Sequence, residues 1–268
     1  MDPNTAPLGE LVKRSLDAAC RRNRRIMAQL EKWRGQPDWR PDCAGCRKPS
    51  GHLVCRDADG PIAVPCPSIN SARCPIAVER KANALAAEIA ALEAAGIGRL
   101  YHSARIECVH PPAMGTVQDY CTSLRSHVFH GKGLIFCGGT GTGKTSALTL
   151  IARRAHETRL PFAYCHAGDL SDAFHLTPAP PQLARWRTTP LLLLDEFGAA
   201  YGSDFNLARF DAFYEERHAH RRATCIATNL LPKELKSPQW ERVYDRLRSS
   251  SLLLVLGGKS RREDLTEL

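Results

Sequence analysis

The chain has 268 residues, 43% of them hydrophobic and 24% charged, which is an ordinary globular composition for one or two domains. No apolar run is long enough for a transmembrane helix, and the first residues lack the apolar segment of a secretory signal, so we expect a cytoplasmic protein without a membrane span. The formal net charge of +9 suits a polyanionic partner such as nucleic acid, although a merely soluble basic surface would give the same value.

The first predicted element is a helix over residues 8–34, where apolar side chains recur every three to four positions. A basic block on this helix is formed by Arg21, Arg22, Arg24 and Arg25. The block fits contact with nucleic acid or an acidic partner, and it fits a solvated helix face equally well.

A cysteine cluster follows, with five of the eleven cysteines lying between residues 43 and 74. A segment with so few apolar residues needs another source of stability, and four thiolates around a structural Zn²⁺ can supply it. The candidate zinc ligands are Cys43, Cys46, Cys66 and Cys74. Cys55 or His52 could replace one of them, and an iron–sulfur cluster or no metal at all are the other interpretations.

An alanine-rich helix is predicted over residues 77–95, ending at Gly96, and a further helix at about residues 117–128. The sequence thus divides into a helical, cysteine-rich domain over residues 1–95 and a second domain over residues 96–268.

The second domain contains a P-loop motif. It follows the apolar run of residues 134–137 and precedes a helical pattern, which is the strand, turn and helix context that phosphate binding requires. The residues expected to contact the nucleotide are Gly138, Gly139, Thr140, Gly141, Thr142, Gly143, Lys144, Thr145 and Ser146. Lys144 should reach the β- and γ-phosphates, and the Thr145 hydroxyl should hold Mg²⁺.

Four more strands are predicted beyond the P-loop, at residues 161–165, 191–194, 223–228 and 252–256, with helical segments between them. The second domain is therefore predicted to be α/β, with a parallel five-stranded sheet and the phosphate site at the carboxyl end of its first strand.

Acidic and polar residues follow two of these strands. Asp195 and Glu196 end the third, and a cation explains two adjacent acids at a buried strand end. We expect Asp195 to hold Mg²⁺ and Glu196 to activate the attacking water. Asn229 ends the fourth strand and can hydrogen-bond the γ-phosphate or that water.

Taken in order, these motifs, together with Asp-Arg-Leu-Arg at residues 245–248, resemble the AAA+ ATPases of the DnaC/DnaI helicase-loader and IstB transposition-helper group over residues 96–262. The resemblance implies ATP hydrolysis, with Asn229 as sensor 1, Arg246 as an arginine finger acting on a neighbouring subunit, and Arg262 as sensor 2. Arg261 stands where the group often has tyrosine, so sensor 2 could be either arginine. Only 12 residues follow the fifth strand, so we do not expect a full helical lid. Neighbouring subunits must then complete much of the ATP site, and we therefore expect an ATP-dependent homo-oligomer.

In such loaders an amino-terminal zinc domain binds the replicative helicase, so the resemblance implies an ATP-dependent loader that delivers a helicase to single-stranded DNA. The alternative is an IstB-like helper that binds duplex DNA and a transposase. A metal-dependent DNA-binding protein whose ATPase site is only a structural switch is a third possibility. Candidate DNA contacts are Phe174, Arg185, Trp186 and Arg187, although packing of the two aromatic rings into the core is the stronger interpretation.

Overall fold

The computed structural model describes residues 21, 24–26, 28, 52–57, 60–65, 75–198, 204–258 and 260. The chain forms two compact units, Met1–Ala86 and Ala87–Leu268. The division falls inside a helix, because the last turns of that helix bury Leu92 in the core of the second unit. The domain boundary drawn after residue 95 stays a prediction.

The first unit contains a β-hairpin that the sequence analysis did not predict. Strands β1 (His52–Asp57) and β2 (Gly60–Pro65) pair antiparallel, from His52 opposite Pro65 to Asp57 opposite Gly60. The prolines and glycines of this stretch concealed its alternating pattern. Among the described residues of the predicted first helix, 21, 24–26 and 28 are helical. All four candidate zinc ligands lie outside the described residues.

Helix α1 (Pro75–Ala94) crosses from the first unit into the second, and it confirms the helix predicted over residues 77–95. It ends as expected at Gly96, which has φ +89°. The Gly96 N–H donates to the Glu93 carbonyl and the Ile97 N–H to the Leu92 carbonyl, so a Schellman motif satisfies the last turn.

The second unit is built around a five-stranded sheet in which all neighbouring strands are parallel. Its strands are β3 (Gly133–Cys137), β4 (Phe162–His166), β5 (Leu191–Phe197), β6 (Ala223–Thr228) and β7 (Ser251–Val255). The spatial order is β4-β5-β6-β3-β7, so the P-loop strand β3 lies between β6 and β7. The predicted parallel sheet is confirmed.

Helices connect these strands. They are α2 (Pro111–Thr122), α3 (Leu124–Phe129), α4 (Lys144–Glu157), α5 (Ala167–His175), α6 (Pro181–Thr188), α7 (Asp204–Ala219), α8 (Pro232–Leu235) and α9 (Glu241–Ser250). The single helix predicted at residues 117–128 is two helices, because the backbone leaves the helical region at Ser123 (φ −105°, ψ 24°). No helix within the described ranges combines the length and apolar character needed to cross a membrane.

The apolar run of β5 is explained by burial on both faces of the sheet. Leu191 and Leu193 belong to one apolar cluster, and Leu192 and Leu194 to the other. Alternate side chains of a strand point to opposite faces, so a strand covered by helices on both sides must be apolar throughout. The strand continues through Phe197, beyond the predicted end at residue 194.

Candidate nucleotide site

The P-loop is a tight backbone turn between β3 and α4. Gly138, Gly141 and Gly143 have φ values of +149°, +75° and +90°, which L side chains rarely adopt. A Cβ on Gly138 would lie 2.0 Å from the Leu256 carbonyl oxygen, and one on Gly143 would lie 2.0 Å from the Cys108 carbonyl oxygen. Neighbouring backbone therefore excludes any side chain at these two glycines.

Lys144 is the first residue of α4, and its side chain is only 9% exposed. Its ammonium donates hydrogen bonds to the carbonyls of Gly138 (2.8 Å) and Gly139 (2.6 Å). The Thr142 hydroxyl donates to the same Gly139 carbonyl at 2.9 Å. A buried cation is thus held within the loop, at the positive end of a helix dipole, where an anion is favoured.

Asp195 lies at the carboxyl end of β5 with 3% of its surface exposed. The Tyr164 hydroxyl donates to its Oδ2 at 2.8 Å, and the Glu196 N–H donates to its Oδ1 at 2.9 Å. Burial, and then the neighbouring Asp195 charge, raise the pKa of Tyr164 far above its ordinary value, so the phenol remains a donor. The carboxylate is fixed in orientation, and each oxygen keeps a lone pair that could face a cation.

Glu196 occupies a strained position beside this buried acid. It has φ +56°, and the β5–β6 pairing shifts register between Leu194 and Phe197. Such a bulge re-aims side chains, and here Glu196 is exposed while Asp195 and Phe197 on either side are buried. A non-glycine residue in the left-handed region costs free energy, and strain of this kind often accompanies function.

Asn229 directly follows β6 and is exposed. The preceding Thr228 is fully buried, and its hydroxyl donates to the Phe197 carbonyl at 2.6 Å and accepts the Leu230 N–H at 3.0 Å. The Gly138 N–H donates to the Thr228 carbonyl at 3.2 Å. These bonds join the carboxyl ends of β5 and β6 to the P-loop. Asn229, the next residue after β6, therefore lies at the same edge of the sheet as Lys144 and Asp195.

No protein-family model and no curated protein matches the sequence. The solved structure of the DnaC helicase loader matches with a TM-score of 0.51 at 22% identity, over 59% of this chain and 99% of that chain. The structure of DnaI matches with a TM-score of 0.53 at 20% identity, over 62% of this chain and 94% of that chain. This chain has the AAA+ P-loop fold of DnaC and DnaI. The predicted fold and the resemblance to DnaC and DnaI are confirmed; at these identities the comparison concerns the fold alone.

Arg246, the arginine-finger candidate, lies on α9 of the second unit. It forms ion pairs within its own chain, with Asp211 and with Glu215 (3.5 Å), both on α7. Its role toward a neighbouring subunit stays a prediction. The two sensor 2 candidates, Arg261 and Arg262, lie outside the described residues.

Two of the four DNA-contact candidates, the aromatic residues, pack against the apolar core and are not exposed as DNA binding requires. Phe174 is 9% exposed and packs in an apolar cluster, and Trp186 packs against the same cluster, so the core interpretation of the two rings holds. Arg187 lies 3.4 Å from a carboxylate oxygen of Glu216, and Arg185 is exposed.

Sequence reasoning missed three residues at or near the candidate nucleotide site. Tyr164 lies in an apolar strand, and the sequence pattern of that strand does not indicate its hydrogen bond to Asp195. A Cβ on Gly141 would lie 2.1 Å from the Ser260 hydroxyl, so the segment after β7 returns to the P-loop. His110 approaches Gly258, and its buried Nδ1 has no hydrogen-bond partner among the described residues. These are contacts between distant parts of the chain, which spacing does not reveal.

Proposed function

We propose that this chain is an ATPase that loads a replicative helicase onto single-stranded DNA. The observation that carries the proposal is the arrangement of Lys144, Asp195 and Glu196 at one edge of a sheet whose fold is that of DnaC and DnaI. A loader of this kind acts in the cytoplasm, which agrees with the expectation from the sequence.

The residues present fit a nucleoside triphosphate with Mg²⁺. Lys144 and the loop N–H groups would hold the phosphates, and the Thr145 hydroxyl and Asp195 carboxylate are the hard oxygen ligands that Mg²⁺ prefers. ATP would supply a γ-phosphoryl group as the electrophile. Glu196, exposed beside the buried Asp195, would orient a water and accept its proton, and Asn229 would hold that water or a phosphate oxygen.

The test of this assignment uses two variants that act at different steps. Lys144→Ala should abolish binding of a fluorescent ATP analogue, because no other residue of the P-loop carries a positive charge. Glu196→Gln keeps size and hydrogen bonding but removes the base, so it should bind normally and lose turnover at least about 100-fold. Normal ATP hydrolysis in purified Glu196→Gln protein would contradict the role given to Glu196.

Arg246 would complete the ATP site of a neighbouring subunit in an ATP-dependent homo-oligomer. Its ion pairs with Asp211 and Glu215 would have to give way on assembly. Sedimentation with a non-hydrolysable ATP analogue should show a larger species than without it. Arg246→Ala should still assemble yet hydrolyse ATP poorly; full activity in that variant would exclude it as the finger.

The amino-terminal residues 1–95 would bind the helicase, with Zn²⁺ held by Cys43, Cys46, Cys66 and Cys74, or with Cys55 or His52 in place of one of them. This part of the proposal rests on cysteine spacing in the sequence. Elemental analysis of the purified protein should find about one zinc per chain. A protein free of zinc would exclude the metal site and leave the ATPase assignment standing.

The partner is tested by co-purification with a replicative helicase and, in parallel, with a transposase. A stable helicase complex that dissociates on addition of ATP and single-stranded DNA supports loading. A transposase complex together with ATP-dependent binding of duplex DNA would replace it with the IstB-like function.

A further inference from the structure

The edge of the sheet opposite the P-loop carries a band of cations. Because all five strands are parallel, the loops that enter them lie at one edge. We call the basic residues in or beside these loops the cationic rim: Arg125, Lys132, Arg159, Arg187, Arg221 and Arg222.

Hydrogen bonds join the rim loops into one surface. Lys132 donates to the Ser249 carbonyl at 3.0 Å, which links the loop before β3 to the last turn of α9, directly before β7. Arg222 donates to the Arg187 carbonyl at 2.9 Å, which links the loops before β6 and β5. A guanidinium N–H of Arg125 donates to the Thr158 carbonyl, next to the loop before β4.

Two of the rim arginines stand where glycine would fold with less strain. Arg159 and Arg221 have φ values of +53° and +51°, and the corresponding residue in the loop before β3 is Gly131, with φ +68°. All three are the left-handed residue of a Schellman motif. At the first arginine, the Arg159 N–H donates to the His156 carbonyl and the following N–H donates to the Ala155 carbonyl. At the second, the Arg221 N–H donates to the His218 carbonyl and the following N–H donates to the Arg217 carbonyl.

Local structure gives no reason for arginine at these two positions. Both side chains are exposed, and neither has a side-chain hydrogen bond or ion pair within the described ranges. Cations do offset helix dipoles at carboxyl ends, but Arg154, His156, Arg217 and His218 already lie in the last turns of α4 and α7. A strained backbone with an unpaired, exposed cation fits a role for the charge outside the chain.

The acids near the rim are already engaged. Glu216 is shared between Arg187 (3.4 Å) and Arg222 (3.6 Å), and Glu157 pairs with Arg154 at 3.0 Å. Neither of these carboxylates pairs with Lys132, Arg159 or Arg221. Neighbouring strands are about 4.8 Å apart, so the loops before β4 and β6, two strands apart, are separated by roughly 10 Å.

An exposed aromatic ring lies beside these charges. Phe129, three residues before Lys132, is 80% exposed and contacts only the edge of the His130 ring among the described aromatic residues. A flat apolar ring next to a row of cations is the combination that binds single strands, through base stacking and phosphate contact together.

We propose that the cationic rim binds the sugar–phosphate backbone of single-stranded DNA, with Arg159 and Arg221 as phosphate contacts and Phe129 as a stacking platform. This inference rests on the proposed function and gives its DNA partner a place, at the edge of the sheet opposite the nucleotide site.

The test is the double variant Arg159→Gly with Arg221→Gly in the full chain. Glycine relieves the left-handed strain, so the thermal midpoint should stay the same or rise, whereas affinity for a labelled oligothymidine should fall. Two lost phosphate contacts correspond to about a 25-fold loss at 0.1 M salt, and the slope of log K against log salt should become shallower by about 1.4. Arg159→Lys with Arg221→Lys keeps the charges and should bind nearly as the parent does.

A charge-matched control removes two exposed arginines outside the rim, Arg99 and Arg105, by substitution with alanine. It should change the salt slope little. Phe129→Ala should weaken binding to the oligothymidine and leave duplex binding unchanged. An unaltered affinity and salt slope in the double glycine variant would overturn the rim. If the parent protein itself fails to bind single strands, the DNA-binding part of the proposed function falls, and the rim with it.

Discussion

At both edges of the sheet, glycines let backbone segments approach one another, but at the amino edge a buried arginine also holds segments together. Gly143 touches the Cys108 carbonyl closely enough that no Cβ fits. Arg217, fully buried, instead donates to the carbonyls of Trp186 (2.6 Å), Thr189 (2.9 Å) and Ala223 (2.6 Å). Gly133 at the amino edge also leaves no room for a Cβ, which would lie 1.9 Å from the Thr224 carbonyl oxygen, so the edges differ in the buried arginine that the amino edge adds.

The two edges therefore differ in function: one can bind an anion, and the other holds secondary-structure elements together. At the carboxyl edge, the glycines leave backbone N–H groups accessible to an anion, next to the Lys144 ammonium. At the amino edge, the buried Arg217 guanidinium donates to carbonyls of neighbouring segments and so holds α6, α7 and β6 together, and burial lowers its pKa to about 9. Substitutions at the two edges should therefore fail in different ways.

The largest expected effect is that of Gly143→Ala. A Cβ would overlap the Cys108 carbonyl and force a left-handed alanine, at a combined cost of about 4 kcal/mol in the free energy of unfolding, with loss of ATP binding. Gly139 is the matched control, since a Cβ there meets nothing within 4 Å. Denaturant melts of both variants make the comparison; equal stabilities would mean that close backbone approach does not define this edge.

Arg217→Met comes next. It leaves several buried carbonyls without donors, which should destabilise the chain by about 3 kcal/mol. Nucleotide affinity, measured below the unfolding transition, should be unchanged because the opposite edge is intact. Arg222→Met, which removes a half-buried ion pair with Glu216, serves as the control and should cost about 1 kcal/mol or less. A loss of ATP binding in Arg217→Met would show that the two edges are coupled.

Sequence patterns predicted one edge far better than the other. The glycines, Lys144, Asp195 and Asn229 follow strands at short spacing, so the parallel topology alone brings them to one edge. The role of Arg217 could not be predicted in the same way, because its partners lie 6 to 31 residues away and, apart from the Thr224 hydroxyl, are backbone carbonyls, which any residue supplies. The bulge at Glu196 also escaped prediction, since an apolar strand pattern ending in two acids does not specify a register shift.

A smaller effect tests how Asp195 is held. Tyr164→Phe removes the hydroxyl donor to Oδ2 with little change of volume, and should cost about 1.5 kcal/mol. If that bond orients the carboxylate toward Mg²⁺, the Mg²⁺ concentration needed for half-maximal ATP-analogue binding should rise about tenfold. Tyr214→Phe loses a comparable buried hydroxyl contact, with Ser250 at 3.0 Å, and should be destabilised without any shift in Mg²⁺ dependence. The same shift in both variants would reduce Tyr164 to a packing residue.

The smallest change in stability, and the one that separates strain from packing most cleanly, is expected for Glu196→Gly. The residue is exposed and left-handed, so glycine removes backbone strain at the cost of greater freedom in the unfolded chain, for a net gain of about 0.5 kcal/mol. Glu196→Gln retains the strain and should leave the unfolding free energy unchanged, while both variants lose ATP turnover. Arg159→Gly should be stabilised for the same reason at the opposite edge and keep its turnover. A destabilised Glu196→Gly protein would mean that the glutamate side chain contributes packing or hydrogen bonds that outweigh its strain, and the bulge would then be a structural feature of β5 rather than a device that presents a catalytic base.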